Sequence, residues 1–102
     1  MSTIVLTEAV FYTLLVLHEP LHGYGIMQET KALTNGRLSL SAGTLYGAIS
    51  AMLEKGWIKA LPVEEDSRRK EYVITTKGKE VVQAEWRRLK ELVTNGEKLL
   101  NI

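Results

Sequence analysis

Ser41-Ala42-Gly43-Thr44-Leu45-Tyr46-Gly47-Ala48-Ile49-Ser50-Ala51-Met52-Leu53-Glu54-Lys55-Gly56-Trp57-Ile58-Lys59-Ala60-Leu61 is the stretch that decides the fold of this chain. Ser41 carries the short oxygen that suits a helix N-cap, and Leu45, Ile49, Met52 and Leu53 recur at helical spacing as an inward stripe. Gly56 supplies the stop, and Trp57 to Leu61 has strand character. Pro62 to Ser67 reads as an acidic turn through Glu64, Glu65 and Asp66, and Glu71 to Ile74 as the return strand. Just ahead of that strand stand Arg68, Arg69 and Lys70, the only run of three basic residues. A helix followed by a hairpin with a cationic return is suited to filling a DNA groove while gripping the phosphates beside it.

The other face of the helix after Ser41 carries Gly43, Thr44, Gly47, Ser50 and Ala51, all of them small, while Tyr46 follows the inward Leu45. A solvated helix is ordinarily clothed in long charged side chains, whereas short ones permit close approach. Periodicity leaves two explanations: contact with another macromolecule, or packing within the same chain.

Working upstream, Leu6, Val10, Leu14 and Leu17 predict a first helix from about Leu6 to His18, ended by Pro20. Its second side, through Val5, Ala9, Phe11 and Leu15, is also apolar. Gly23-Tyr24-Gly25 opens a shorter helix running to Leu33, and Asn35-Gly36 marks the turn that closes it. Downstream, Thr75 or Thr76 caps a long last helix. There Val82, Trp86, Leu89, Val93, Gly96 and Leu100 alternate at spacings of four and three, which is a heptad seam. Val81, Leu92 and Leu99 flank it, and Glu80, Glu85, Arg87, Arg88, Lys90 and Glu91 are expected on the solvent side. The seam predicts pairing with a second copy, joined by the surplus apolar side of the first helix. The alternative is a last helix folded back on its own core.

Bulk properties narrow the field. The chain has 102 residues, 45% of them apolar, enough for one core. The absence of cysteine removes disulfides and thiolate metal sites. The apolar stretch near the start is too short and too polar to span a bilayer, so a cytoplasmic location is expected. With 13 basic and 12 acidic residues the net charge is +1, so attraction to nucleic acid must come from placement rather than total charge.

Several stretches together resemble the PadR family of bacterial transcriptional regulators. They are Gly23-Tyr24-Gly25-Ile26, Leu40 to Tyr46, Leu53-Glu54-Lys55-Gly56-Trp57-Ile58, Arg68 to Tyr72 and Thr75-Thr76-Lys77-Gly78. The resemblance covers about residues 6 to 80, and the single last helix is similar to the short subfamily. It implies a mainly α fold with a small β-hairpin: a winged helix-turn-helix over residues 1–76 and a dimerisation helix over 77–102. It further implies a homodimeric repressor on a pseudo-palindromic operator in double-stranded DNA, with the third helix in the major groove and the hairpin as the wing. Family members often carry a basic residue near positions 50 and 51, where this chain has Ser50 and Ala51. The third helix thus has no cation before Lys55, which leaves phosphate attraction to the wing and to Lys31 or Arg37.

The DNA-contacting set expected on these grounds is Tyr24, Ser41, Gly43, Thr44, Tyr46, Gly47, Ser50, Arg68, Arg69 and Lys70. Val82, Trp86, Leu89, Val93 and Leu100 are expected at the dimer interface. A small aromatic or phenolic effector, if one is sensed, is expected at the dimer junction among Val10, Phe11, Leu14 and Trp86. His18 and His22 are separated by Pro20 and share no helical face, so a cap or surface role is expected and no metal or other cofactor. No nucleophile, tuned acid or paired carboxylate nominates an enzyme. The competing reading is a winged helix that binds protein instead of DNA; it has no need of Arg68-Arg69-Lys70.

Overall fold

The computed structural model describes residues 4–62 and 69–102. The acidic turn and Arg68 lie outside the described residues. Four helices and a three-stranded antiparallel sheet follow in the order α1 (Glu8–Val16), β1 (Leu21–His22), α2 (Gly23–Leu33), α3 (Ala42–Glu54), β2 (Ile58–Ala60), β3 (Glu71–Ile74) and α4 (Thr76–Leu100).

Every helix starts on a side chain that accepts from an otherwise unpaired backbone N–H: Thr7 from Val10, His22 from Gly25, Ser41 from Thr44 and Thr75 from Gly78. These caps account for α1 beginning later than the apolar pattern alone predicts. At its other end His18 Nδ1 lies 2.9 Å from the Leu15 carbonyl oxygen. A carbonyl only accepts, so the ring donates there and finishes the helix. The turn after α2 places Asn35 and Gly36 at φ of 52° and 83°, as the Asn-Gly pair predicts.

The sheet order is β1-β3-β2, with Leu21 opposite Tyr72 and Ile58 opposite Ile74. The hairpin is present, and β1 adds a strand that the sequence reading did not foresee. Two residues after Pro20 are too few to show alternation, and only pairing with β3 makes them a strand.

Leu14, Leu17, Ile26, Leu45, Ile49, Met52, Trp57, Ile58, Tyr72, Ile74 and Val82 form one core. Burying a side chain such as Leu45 contributes about 2 kcal/mol. Leu53, expected inward, is 38% exposed, because one residue past Met52 turns it about 100° away from the fully covered arc. Gly78 lets α4 press against the strand: a methyl there would collide with the Trp57 carbonyl oxygen.

Only the first part of α4 reaches the core, through Gly78, Val82 and Glu85. Val82, expected at a dimer interface, is therefore a core residue of its own chain. Glu85, expected in solvent, is 2% exposed. Its carboxylate accepts from the Leu6 backbone N–H at 2.8 Å and from Arg88 through both oxygens, one at 3.0 Å. Three or four residues from Val82, Val81 and Leu89, it shares their face, and the charge is neutralised in place rather than hydrated. At 25 residues α4 is about 37 Å long, and its later turns carry exposed Trp86, Leu92, Val93, Leu99 and Leu100.

Candidate nucleic-acid interface

Three elements converge at the junction of β1 and α2. β1 ends in His22, which lies opposite Glu71 in the register with β3, so the chain just before β3 comes up beside the start of α2. From the other direction α3 sends Tyr46 across to Gly23. Glycine there lets the phenol come this close; a methyl would push the Tyr46 hydroxyl aside. Tyr46 is half exposed, so it packs along the start of α2 while remaining reachable from outside. Tyr72 lies beneath, and burial first, then the nearby Tyr46 hydroxyl, raise its phenol above the ordinary value of 10.

Tyr24 is exposed and lies beside His22, ring centroids 6.5 Å apart and planes within 20° of parallel. His22 Nδ1 accepts from Gly25 N–H at 2.9 Å, and its Nε2 faces Arg69 Nη1 at 3.2 Å. The structure thus brings Tyr24, Tyr46 and Arg69 to one place, with Lys70 next in chain and exposed.

The small-residue face of α3 is bare. Gly43, Thr44, Gly47, Ser50 and Ala51 are all exposed, and a methyl built on Gly43 or Gly47 would meet nothing within 4 Å. The chain's own packing therefore does not require glycine at either position, and packing within the chain is set aside as the reason for this face. Ser41 and Thr44 are partly committed to the helix start: Ser41 Oγ accepts from Thr44 N–H at 3.2 Å and donates to Thr44 Oγ1 at 3.0 Å.

Arg37, one of the cations expected to attract phosphate, is otherwise engaged, and so is Lys55 at the end of α3. Arg37 forms an ion pair with Glu8, tying the segment after α2 to the start of α1. That pairing lowers the Glu8 carboxyl below its ordinary value and raises the Arg37 guanidinium, through the shared hydrogen bond first. Lys55 lies over the Trp57 ring, 4.8 Å from its centroid, a cation–π contact at the end of α3. Lys31 is exposed on α2.

The residues expected around an effector do not gather into one site. Leu14 is fully buried in the core, and Val10 packs against that core. Phe11 lines a cleft of about 340 Å³ between α1 and α4, with Leu6, Glu8, Tyr12, Glu85 and Leu89, and Trp86 is not part of its lining. Trp86 is exposed further round α4, with Lys90 Nζ 5.2 Å from its ring centroid. Among the described residues no group of three His, Cys, Asp or Glu side chains is placed to hold a metal ion, and no helix is long and apolar enough to cross a membrane.

The cap role expected of His22 is present at the start of α2, whereas Glu85, expected in solvent, was missed as a buried partner of Leu6 and Arg88. The position of His22 three residues before Gly25 fits a cap, but its contact with a residue 47 positions later has no local signal.

Residues 13–84 match the family described as transcriptional regulator PadR-like. An uncharacterized 37.1 kDa protein in a Streptomyces fradiae transposon is 33% identical over 66 residues. The match covers 65% of this chain and 18% of that protein, so the chain spans less than a fifth of its curated relative. A PadR family transcriptional regulator from Eggerthella lenta superposes with a TM-score of 0.74 at 26% identity, over 89% of this chain and 80% of that one. A PadR-like transcription factor from Bacteroides fragilis gives a TM-score of 0.67 at 29% identity, over 84% and 86%.

Proposed function

The chain belongs to the transcriptional regulator PadR-like family, a family of regulators rather than enzymes, and we propose that it acts as a homodimeric repressor on a pseudo-palindromic DNA operator. The observation that carries this reading is the bare face of α3, where Gly43 and Gly47 leave room that none of the described residues uses. That face enters the major groove, and Tyr46, Tyr24, Arg69 and Lys70 line the phosphates beside it. Residues 1–76 form the DNA-binding unit, acting in the cytoplasm, and 77–102 the pairing helix.

The second copy covers the projecting part of α4. Exposed Trp86, Val93 and Leu100 keep the heptad spacing with Leu89, and Ile4, Val5 and Leu15 add exposed apolar surface near α1. Pairing sets the two α3 helices about one DNA turn, roughly 34 Å, apart. A flat aromatic effector fits this reading only between the Trp86 rings of the two copies, because Leu14 is sealed in the core. Such a compound should quench tryptophan emission in the wild type and in Trp57→Leu but not in Trp86→Leu.

The test of the DNA reading is binding to a fragment upstream of the chain's own gene across a salt series. Removing Arg68 and Lys70 together should weaken binding to every sequence and flatten the slope of log affinity against log salt by about one to two units. An unchanged affinity and slope would favour the protein-binding winged helix instead.

A further inference from the structure

We infer that Tyr72, in the middle strand of the sheet, gives its hydroxyl to a DNA phosphate together with Tyr46 and the opening amides of α2; this deepens the DNA-binding reading above and rests on it. The ring itself has a different task. Tyr72 pairs with Leu21 on one side and Ala60 on the other, and at 6% exposure it belongs to the core. Phenylalanine would fill that place with the same ring, yet the chain carries a phenol there. Its oxygen makes no hydrogen bond to the protein. Among the described residues no enclosed side-chain oxygen lacks a partner, so this one must reach the surface.

Its surroundings are all donors. Burial first, and then the Tyr46 hydroxyl, raise the Tyr72 phenol, which makes the two oxygens neighbours. The Tyr46 hydroxyl in turn lies against Gly23, and it too makes no hydrogen bond to the protein. Gly23 and Tyr24 open α2, an 11-residue helix whose His22 cap takes only the Gly25 N–H. The Gly23 and Tyr24 amides thus have no acceptor within the helix, and no other backbone carbonyl among the described residues takes them. Phenols are protonated at neutral pH, so two hydroxyls and two amides meet here with protons to give. A phosphodiester oxygen suits them: it accepts several hydrogen bonds at once, and its negative charge is favoured at the positive end of α2. Glu71, the carboxylate next to Tyr72 in the chain, is exposed, and strand alternation turns it to the other face of β3. Tyr46 comes from α3, so the phosphate held is one flanking the groove that α3 enters.

Tyr72→Phe isolates the hydroxyl, because it keeps the ring and its packing. With no hydrogen bond lost inside the protein, Tm should stay within about 1 °C of the wild type, whereas operator binding should weaken about tenfold. Binding to unrelated DNA should weaken by the same factor with the salt slope unchanged, because a phosphate contact reads no sequence and no charge is removed. Tyr46→Phe should act alike, and the double variant should fall short of the product of the two effects, since both hydroxyls serve one phosphate. Operator duplexes carrying one neutral methylphosphonate at a time should reveal a position that weakens the wild type strongly and Tyr72→Phe far less. A Tm several degrees lower in Tyr72→Phe would show the hydroxyl serving the fold and overturn the inference. If the wild type binds the operator while Tyr72→Phe binds equally well, or the two effects multiply, the shared phosphate is wrong and the DNA reading stands. If the wild type binds no DNA under any salt condition, both fall together.

Discussion

Replacing Gly47 with alanine should make the protein more stable and a poorer DNA binder at the same time. Gly47 lies inside α3, in ordinary helical backbone, and its added methyl would meet nothing within 4 Å. No clash opposes the gain in helix propensity, about 0.9 kcal/mol for glycine to alanine in a helix interior. In a domain of this size that raises Tm by about 4 to 8 °C, read by calorimetry at fixed protein concentration because the proposed pairing would make Tm concentration-dependent. In the complex the same methyl stands where another surface must come close, and overpacking a fitted contact costs about 1 to 3 kcal/mol, tenfold or more in operator affinity. Gly56→Ala is the control. It too has open space, but its φ of +75° demands the left-handed region, so it should lose about 1 kcal/mol where Gly47→Ala gains. The reasoning is refuted if Gly47→Ala lowers Tm, since the face would then be packed after all. It is refuted equally if the stabilised variant binds the operator as tightly as the wild type.

Three further outcomes follow from the packing. Val93→Glu places a charge on the exposed stripe of α4 without touching the core, so it should give folded monomers by sedimentation at concentrations where the proposed pairing makes the wild type a dimer. Gly78→Ala should lose about 3 kcal/mol in urea denaturation, because the methyl meets backbone that cannot move aside. Glu85→Ala strips the Leu6 N–H and Arg88 of their shared acceptor and should cost about 2 kcal/mol near neutral pH. The Glu85 carboxyl is held below its ordinary value of 4.5, by the Arg88 hydrogen bond first and the Leu6 N–H as well, against the opposing effect of burial. A lowered pKa in the folded state means the stabilisation is complete above pH 4.5 and is lost as pH falls through the folded value. Stability measured against pH should therefore fall less steeply on acidification in Glu85→Ala than in the wild type.

Local chemistry carried much of this protein in plain view. Caps at Thr7, Ser41 and Thr75, the Asn35-Gly36 turn and the Gly56 stop each act within a few residues, so the sequence alone determined four helices and a hairpin in their order. The bare face of α3 was equally legible as a set of short side chains, although only the three-dimensional structure decided that none of the described residues fills the space beside Gly43 and Gly47. Elsewhere the same residue types meant different things once distant segments met. Val82 looks like the rest of the heptad seam, yet α1 and β3 lie over its turn of α4 and not over Val93, so one is core and the other surface. Glu85 looks solvated until Leu6, 79 positions earlier, brings an N–H to it. Strand β1 exists because β3 is there to pair with, and the contact of His22 with Arg69 exists because that pairing brings them together. Spacing along a chain fixes which residues share a face; which face is covered, and what a buried charge or a second imidazole nitrogen meets, depends on segments that no local pattern connects.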